Sequence, residues 1–286
     1  VFNLVKVNAM KYAVQIPNFG LVGEARILAD LAALAEEHHW DAMFIWDHLQ
    51  WPNSEPCVDP WVALTAMAMQ TEKLTIGPMV TALPRRDIGK LARETISVDR
   101  LSGGRLKLGA GLGWQTIPEY GGFGHEQDLR IRAAMLDEGL EVLTALWSGQ
   151  PVSHSGKYYR VECEAFNQPV QSPRIPIWVG GLWPSVKPFR RAAKWDGILP
   201  ISKKALEGKQ ISPEELIEIR DQLEEFGADL SDYDISIAGT TQCAEDNEIP
   251  KAYANVGATW WIESGMAWLS SLEDLESRIR RGPPAI

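Results

Sequence analysis

Short apolar runs alternate with longer amphipathic stretches along almost the whole chain, and that rhythm predicts its architecture. Residues 11–16 read as a buried strand closed by Pro17, Asn18, Phe19 and Gly20. Over residues 24–39, Ile27, Leu28, Leu31, Leu34 and Ala35 recur at helical spacing between charged positions, so a covering helix follows. The pair then repeats. Strand-like runs at 42–46, 74–81, 106–110, 175–179, 197–199, 235–238 and 259–263 each lead into a helical pattern, at 60–70, 86–101, 126–147, 186–194, 213–226, 248–255 and 272–281. Eight strand–helix units without long hairpin runs predict an α/β fold, a parallel sheet with its helices outside, and eight units close a (β/α)8 TIM barrel. The alternative is an open doubly wound sheet, which needs a reversal of strand order that periodicity does not display.

One stretch breaks the rhythm. Residues 152–171 contain a small hairpin turning at Ser155 and Gly156, an insertion before the fifth strand. No low-complexity linker or short-period repeat divides the rest, so residues 10–286 are expected to form one domain. Residues 1–9 precede a start-like Met10 and read as an extension or an artificial leftover.

Composition narrows the partners. With 45% hydrophobic and 23% charged residues, the 286-residue chain is ordinary for a soluble globular protein. Cys57, Cys163 and Cys243 are odd in number and widely spaced, which fits neither a disulfide framework nor a paired metal site, and points to a reducing cytoplasm. No apolar stretch is long enough to span a bilayer. A formal charge of −10 repels phosphate backbones, so neither nucleic acid nor an anionic membrane is expected as a partner.

In a barrel of this kind, chemistry sits where strands end and the following loops begin. His48, just after the second strand, is the only histidine of five at such a position, and an imidazole there can take or give a proton near neutral pH. The bland reading is a histidine that ties down its own loop, with Asp47 as its partner. Gly180 and Gly181, placed directly after an apolar strand, would let backbone N–H groups approach a phosphate, with Lys204 adding charge; a tight strand–helix turn would look the same. Gly109, Gly111 and Gly113 form a run that reads as close backbone approach, because it lacks the early βαβ setting of a dinucleotide fingerprint. Trp46, Trp51, Trp61 and Trp114 lie on or close to strand ends, where indoles suit the walls of a flat ring, although core packing explains many tryptophans. The first strand ends Gln-Ile-Pro-Asn and offers no paired histidines for a metal, and neither a Ser nucleophile elbow nor a Walker A run occurs.

Four stretches, in order, resemble the luciferase-like flavin- and F420-dependent oxidoreductases. They are Trp46-Asp47-His48-Leu49; Ala92-Arg93-Glu94 continued by Asp99-Arg100-Leu101-Ser102-Gly103-Gly104-Arg105; Leu108-Gly109-Ala110-Gly111 with Gly113-Trp114; and Ile175-Pro176-Ile177-Trp178-Val179-Gly180-Gly181. The resemblance implies an insertion near the fifth strand, a flavin-type ring across the barrel mouth, and His48 facing the reacting substrate. It also implies a non-prolyl cis bond at Met79–Val80 behind the ring, with Thr81 and Gly111 beside it and the cofactor phosphate at Gly180 and Gly181. Lys204 is a weaker match. Phe19, Trp51 and Trp114 would line the substrate pocket. The sugar-phosphate dehydrogenases of this family carry an acidic residue where this chain has Trp114, which implies a more apolar substrate.

The cofactor expected from the resemblance is the deazaflavin coenzyme F420, passing hydride to or from a small organic molecule. Flavin mononucleotide (FMN) with oxygen is the alternative, supplied by a separate flavin or F420 reductase. A non-catalytic flavin-binding relative is the third reading. The resemblance further implies a homodimer formed through helices beside the second and third strands.

Overall fold

The computed structural model describes residues 10–51, 55–113, 119–265 and 269–284; the segment 1–9 and Trp114 lie outside the described residues. Nine parallel strands follow the order β3-β2-β1-β11-β10-β9-β8-β5-β4. Their ranges are β1 Lys11–Ile16, β2 Ala42–Ile45, β3 Thr75–Pro78, β4 Thr81–Ala82, β5 Leu108–Gly111, β8 Ile177–Trp183, β9 Gly197–Ser202, β10 Asp234–Gly239 and β11 Trp260–Glu263. The two ends of this order, β3 and β4, are successive pieces of one stretch of chain. β3 pairs with β2, β4 pairs with β5, and a bridge from Ile76 to Leu106 joins the remaining edge. The result is a nearly closed parallel barrel.

Helices flank it: α1 Ala25–Glu37, α2 Pro60–Gln70, α3 Ile88–Leu101, α4 Leu129–Trp147, α5 Val186–Ala192, α6 Pro213–Glu225, α7 Glu248–Asn255 and α8 Leu272–Arg280. The sequence explains several of their starts. Asp59 accepts from the N–H groups of Trp61 and Val62 ahead of Pro60, and Ser212 forms a reciprocal capping box with Glu215. The insertion is the antiparallel pair β6 Val152–Ser155 and β7 Arg160–Cys163, which lies before β8, the fifth strand of the barrel.

Of the boundaries that differ from the sequence reading, three have a clear physical reason. The third strand is interrupted rather than continuous, because the Met79–Val80 peptide bond is cis and divides β3 from β4. The helix expected from residue 126 starts at Leu129, where the Asp128 side chain accepts from Arg130 and Ile131 N–H. The strand expected to stop at 179 runs on to Trp183, paired throughout with β9.

The barrel interior holds Ala13, Ala42, Phe44, Met79, Trp178, Leu199, Trp260 and Ile262, while a larger apolar layer fills the space between strands and helices. At the N-terminal end the indole N–H groups of Trp178 and Trp260 donate to Asp234 at 3.0 and 2.7 Å, and Lys107 Nζ donates to the same carboxylate at 2.6 Å. Room for the indoles comes from glycine. A Cβ on Gly197 would lie 2.5 Å from Trp178 Cδ1 and 2.7 Å from its Nε1. The N-terminal end of the barrel is therefore a packed, hydrogen-bonded plug.

Candidate active site

The C-terminal end carries the reactive groups. After β2 the chain runs through Trp46, Asp47 and His48, and the fully buried Asn18 pins it from the end of β1. Asn18 Nδ2 donates to the carbonyls of His48 and Val58, both at 2.8 Å, and its Oδ1 accepts from His48 N–H at 3.1 Å. The His48 ring sits among aromatic neighbours: Phe19 at 5.7 Å, Trp46 at 5.8 Å and Trp51 at 5.3 Å, all close to edge-on. Phe19 and Trp51 stack at 3.9 Å and 8°. Their faces make one apolar wall beside the imidazole.

The partner of His48 is not Asp47. Its Nδ1 lies 3.2 Å from Glu119 Oε1, an oxygen that also accepts from Leu49 N–H at 2.6 Å. Glu119 Oε2 accepts from Arg85 Nη1 at 2.6 Å. Asp47 is instead held by Arg85, at 2.7 Å, and by Arg86. Asp47 and His48 thus join one network at different points, Asp47 through Arg85 and Arg86 and His48 through Glu119.

Burial would push the Glu119 carboxyl up, but the hydrogen bond to His48 and the charge of Arg85 prevail and hold it below the usual carboxylate range. Arg85 is raised: desolvation works against its charge, and the two carboxylates outweigh it. Sequence reading missed Glu119, Arg85 and Arg86. Arg85 and Arg86 follow the β4 end in the neighbouring barrel unit, and that adjacency was the available signal.

Opposite this loop lies a second group. Gln15 points into the barrel and its Nε2 donates to the Met79 carbonyl at 3.1 Å, supporting the cis bond found where the resemblance implied it. Val80 then faces two glycines. A Cβ on Gly111 would lie 2.7 Å from Val80 Cγ2, and one on Gly180 would lie 3.3 Å from Val80 Cγ1. The structure thus brings Met79, Val80, Gly111 and Gly180 together.

Gly180 and Gly181 require a correction. They do not follow the strand; they lie within β8, paired with Leu199 and Pro200 of β9, and Gly181 turns outward to Pro188 of α5. Thr81 is buried with its hydroxyl unpartnered. Lys204 is exposed in the turn after β9, its N–H donating to Ser202 Oγ at 3.1 Å.

A parallel barrel with a carboxylate-held histidine and a glycine-lined apolar surface at one end is an arrangement that can receive a flat ring. The luciferase-like monooxygenase family matches residues 6–282, and the chain belongs to that family of flavin- and F420-dependent enzymes. Among curated relatives, the F420-dependent glucose-6-phosphate dehydrogenase of Nakamurella multipartita is 31% identical over 72% of this chain. That of Nocardia farcinica is 32% identical over 64%. The chain spans only 60% and 55% of the length of these two proteins. Among solved structures, the F420-dependent tetrahydromethanopterin reductase of Methanopyrus kandleri superposes with a TM-score of 0.72 at 16% identity, covering 96% of this chain and 97% of the reductase. A monooxygenase from Streptomyces bottropensis gives 0.75 at 19% identity, covering 95% and 97%. Both structures share the fold.

The residues present fit the ring that this family uses. A side chain at Gly111 would collide with Val80 and one at Gly180 would press tightly on it, so the two glycines let Val80 lie close against both strands, and a planar ring can lie on apolar atoms there. The unpartnered Thr81 hydroxyl lies in the same stretch of chain as that floor and lacks an acceptor or donor from the protein.

Proposed function

We propose that the chain is a (β/α)8-barrel oxidoreductase that uses coenzyme F420 to exchange a hydride with a small organic substrate. The observation that carries the reading is the imidazole of His48, held by Glu119 and walled by Phe19, Trp46 and Trp51, at the same barrel end as the Met79–Val80 floor. The deazaflavin, when bound, supplies the hydride-exchanging centre. Met79, Val80, Thr81, Gly111 and Gly180 would hold its ring and Lys204 its phosphate side, while Gly181 faces α5. His48 holds or releases the proton at the substrate atom, and the aromatic wall excludes water from it.

The choice of F420 is supported by relatives named as F420-dependent at 30–32% identity. The substrate we propose is more apolar than a sugar phosphate. Trp178 and Leu199 face the barrel interior, and further along the same strand faces Leu182, four residues after Trp178, and Ile201, two after Leu199, pair with one another and stay 37% and 36% exposed. They give the mouth an apolar side.

His48→Asn should lower turnover at least a hundredfold with F420 affinity within about twofold, read by steady-state kinetics and fluorescence titration. Unchanged turnover would remove His48 from the mechanism. An FMN monooxygenase is the second reading, favoured by the fold shared with the Streptomyces bottropensis enzyme. Oxygen uptake with reduced FMN, and no binding of F420, would select it.

We further propose a homodimer through α2. That helix contains no charged residue, yet Val62 and Met69 on its outer face are 57% and 73% exposed. On a chain with a net charge of −10, an uncharged face allows two copies to meet without repulsion.

A further inference from the structure

We propose that Glu119 is a positioning residue that fixes neutral His48 as the Nδ1–H tautomer and so leaves Nε2 as a bare acceptor at the barrel mouth. The argument starts from what Glu119 can do chemically. It is fully buried, and both of its oxygens already accept: Oε2 from the Arg85 guanidinium at 2.6 Å and Oε1 from Leu49 N–H at 2.6 Å. An ionised carboxylate has no hydrogen to give. The 3.2 Å contact between Oε1 and His48 Nδ1 is therefore a hydrogen bond only if the ring nitrogen donates.

The alternative tautomer would set a nitrogen lone pair against a carboxylate oxygen in a site with little water to relieve the repulsion. Nor can the ring easily turn away. Phe19, Trp46 and Trp51 surround it, while Asn18 fixes its backbone on both the N–H and the carbonyl. The other charged groups near this loop are Arg85, Arg86, Asp47 and Asp59. Arg85 is shared between Glu119 and Asp47, and Arg86 Nη1 lies 3.9 Å from Asp59. The Cys57 thiol donates to the His48 carbonyl and leaves the ring nitrogens alone. Glu119 is thus the only carboxylate among the described residues recorded against the ring.

The consequence is directional. A neutral imidazole with its proton on Nδ1 can accept at Nε2 and cannot donate there. The proton on a substrate O–H group then passes to Nε2, the O–H bond breaks and its electron pair stays on oxygen. The resulting imidazolium keeps its Nδ1–H bond to an ionised Glu119. The chemical class served in this state is a hydroxyl-bearing substrate. This consequence rests on the proposed role of His48, whereas the tautomer itself does not.

The test uses the whole protein with 15N-labelled histidine. Long-range 1H–15N spectra of the protein without cofactor, at about pH 8 where the free imidazole is neutral, report which nitrogen carries hydrogen; His48→Asn assigns the signal. The expected spectrum has a protonated Nδ1 and an unprotonated Nε2. In Glu119→Gln the amide can present either its oxygen or its NH2 group, so the two tautomers should mix. Turnover should fall tenfold or more while F420 affinity stays within twofold. A predominant Nε2–H tautomer in the unaltered protein overturns the proposal, and so does a Glu119→Gln protein with the original tautomer and full turnover. If Glu119→Gln does not fold, the spectrum of the unaltered protein decides alone. Full turnover in His48→Asn would sink the functional reading and leave the tautomer assignment standing.

Discussion

Replacing Arg85 with methionine tests whether the network behind His48 holds the site together. Methionine keeps much of the apolar stem and removes the guanidinium that bridges Asp47 and Glu119. All three side chains are at most 1% exposed, so the two carboxylates lose their shared cation where water cannot replace it. Removing one member of a buried ion pair costs about 3–5 kcal/mol. The lower end applies, because Asp47 keeps Arg86, and Glu119 keeps Leu49 N–H and His48. For a chain of this size about 3 kcal/mol corresponds to a melting temperature roughly 6–12 °C lower, readable by calorimetry.

The pH dependence has a definite sign. With Arg85 present, Glu119 is held below the usual carboxylate range despite its burial, so its contribution is present above about pH 4.3 and is lost as pH falls through the folded value. Without Arg85, burial is opposed far less and the carboxyl moves upward. A raised carboxyl contributes stability when protonated and loses it as pH rises. The gap between the two proteins should therefore be widest near pH 7 and narrow toward about pH 5. A fall of less than about 2 °C at neutral pH, or a gap that grows on acidification, would refute the reasoning.

Two further outcomes bear on the floor and on assembly. Gly111→Val would drive a side chain onto Val80, so cofactor affinity should fall at least tenfold with the circular dichroism unchanged. Gly89→Ala, whose Cβ would meet only Asp87 Oδ1 at 3.5 Å, is the control, and equal affinity in both variants would count against the floor. Val62→Glu with Met69→Glu should convert the proposed dimer to monomer in sedimentation at micromolar concentration, since each copy would bring two unpaired charges to the contact. A dimer that persists would move the interface elsewhere.

What could be read in the sequence was the part governed by local rules. The helix over residues 60–70 was legible to the residue because a proline opens its apolar run, and the structure adds the Asp59 cap. The strand ending at Trp183 was not, since two glycines look like a turn until β9 is seen to pair with them. His48 was legible from its place at a strand end, but its partner was not. Glu119 lies 71 residues further on, and no periodic pattern links the two positions. Asp47 sat beside His48 in the sequence and so took its place.

The same contrast explains why the chemistry has only one end of the barrel to occupy. At the N-terminal end the interior is filled by Trp178 and Trp260, whose N–H groups are satisfied by Asp234, itself neutralised by Lys107. A ring could enter there only by displacing two indoles and breaking their hydrogen bonds to Asp234. At the C-terminal end the interior positions pass to Gly111, Gly180, Val80 and Gln15, which are small, apolar or turned to a backbone carbonyl. Bulk below and glycine above follow from a few residues on strands whose outward faces are mostly apolar. The residues that would hold a cofactor are thus also those that the packing of the barrel leaves without side-chain volume. Filling Gly180 with valine while shortening Trp178 to leucine should not move the site downward, because Asp234 and Lys107 would remain as a half-buried charged pair beside the new space. Such a protein should bind F420 at least tenfold more weakly in fluorescence titration, and full binding would mean that the ring does not rest on this floor.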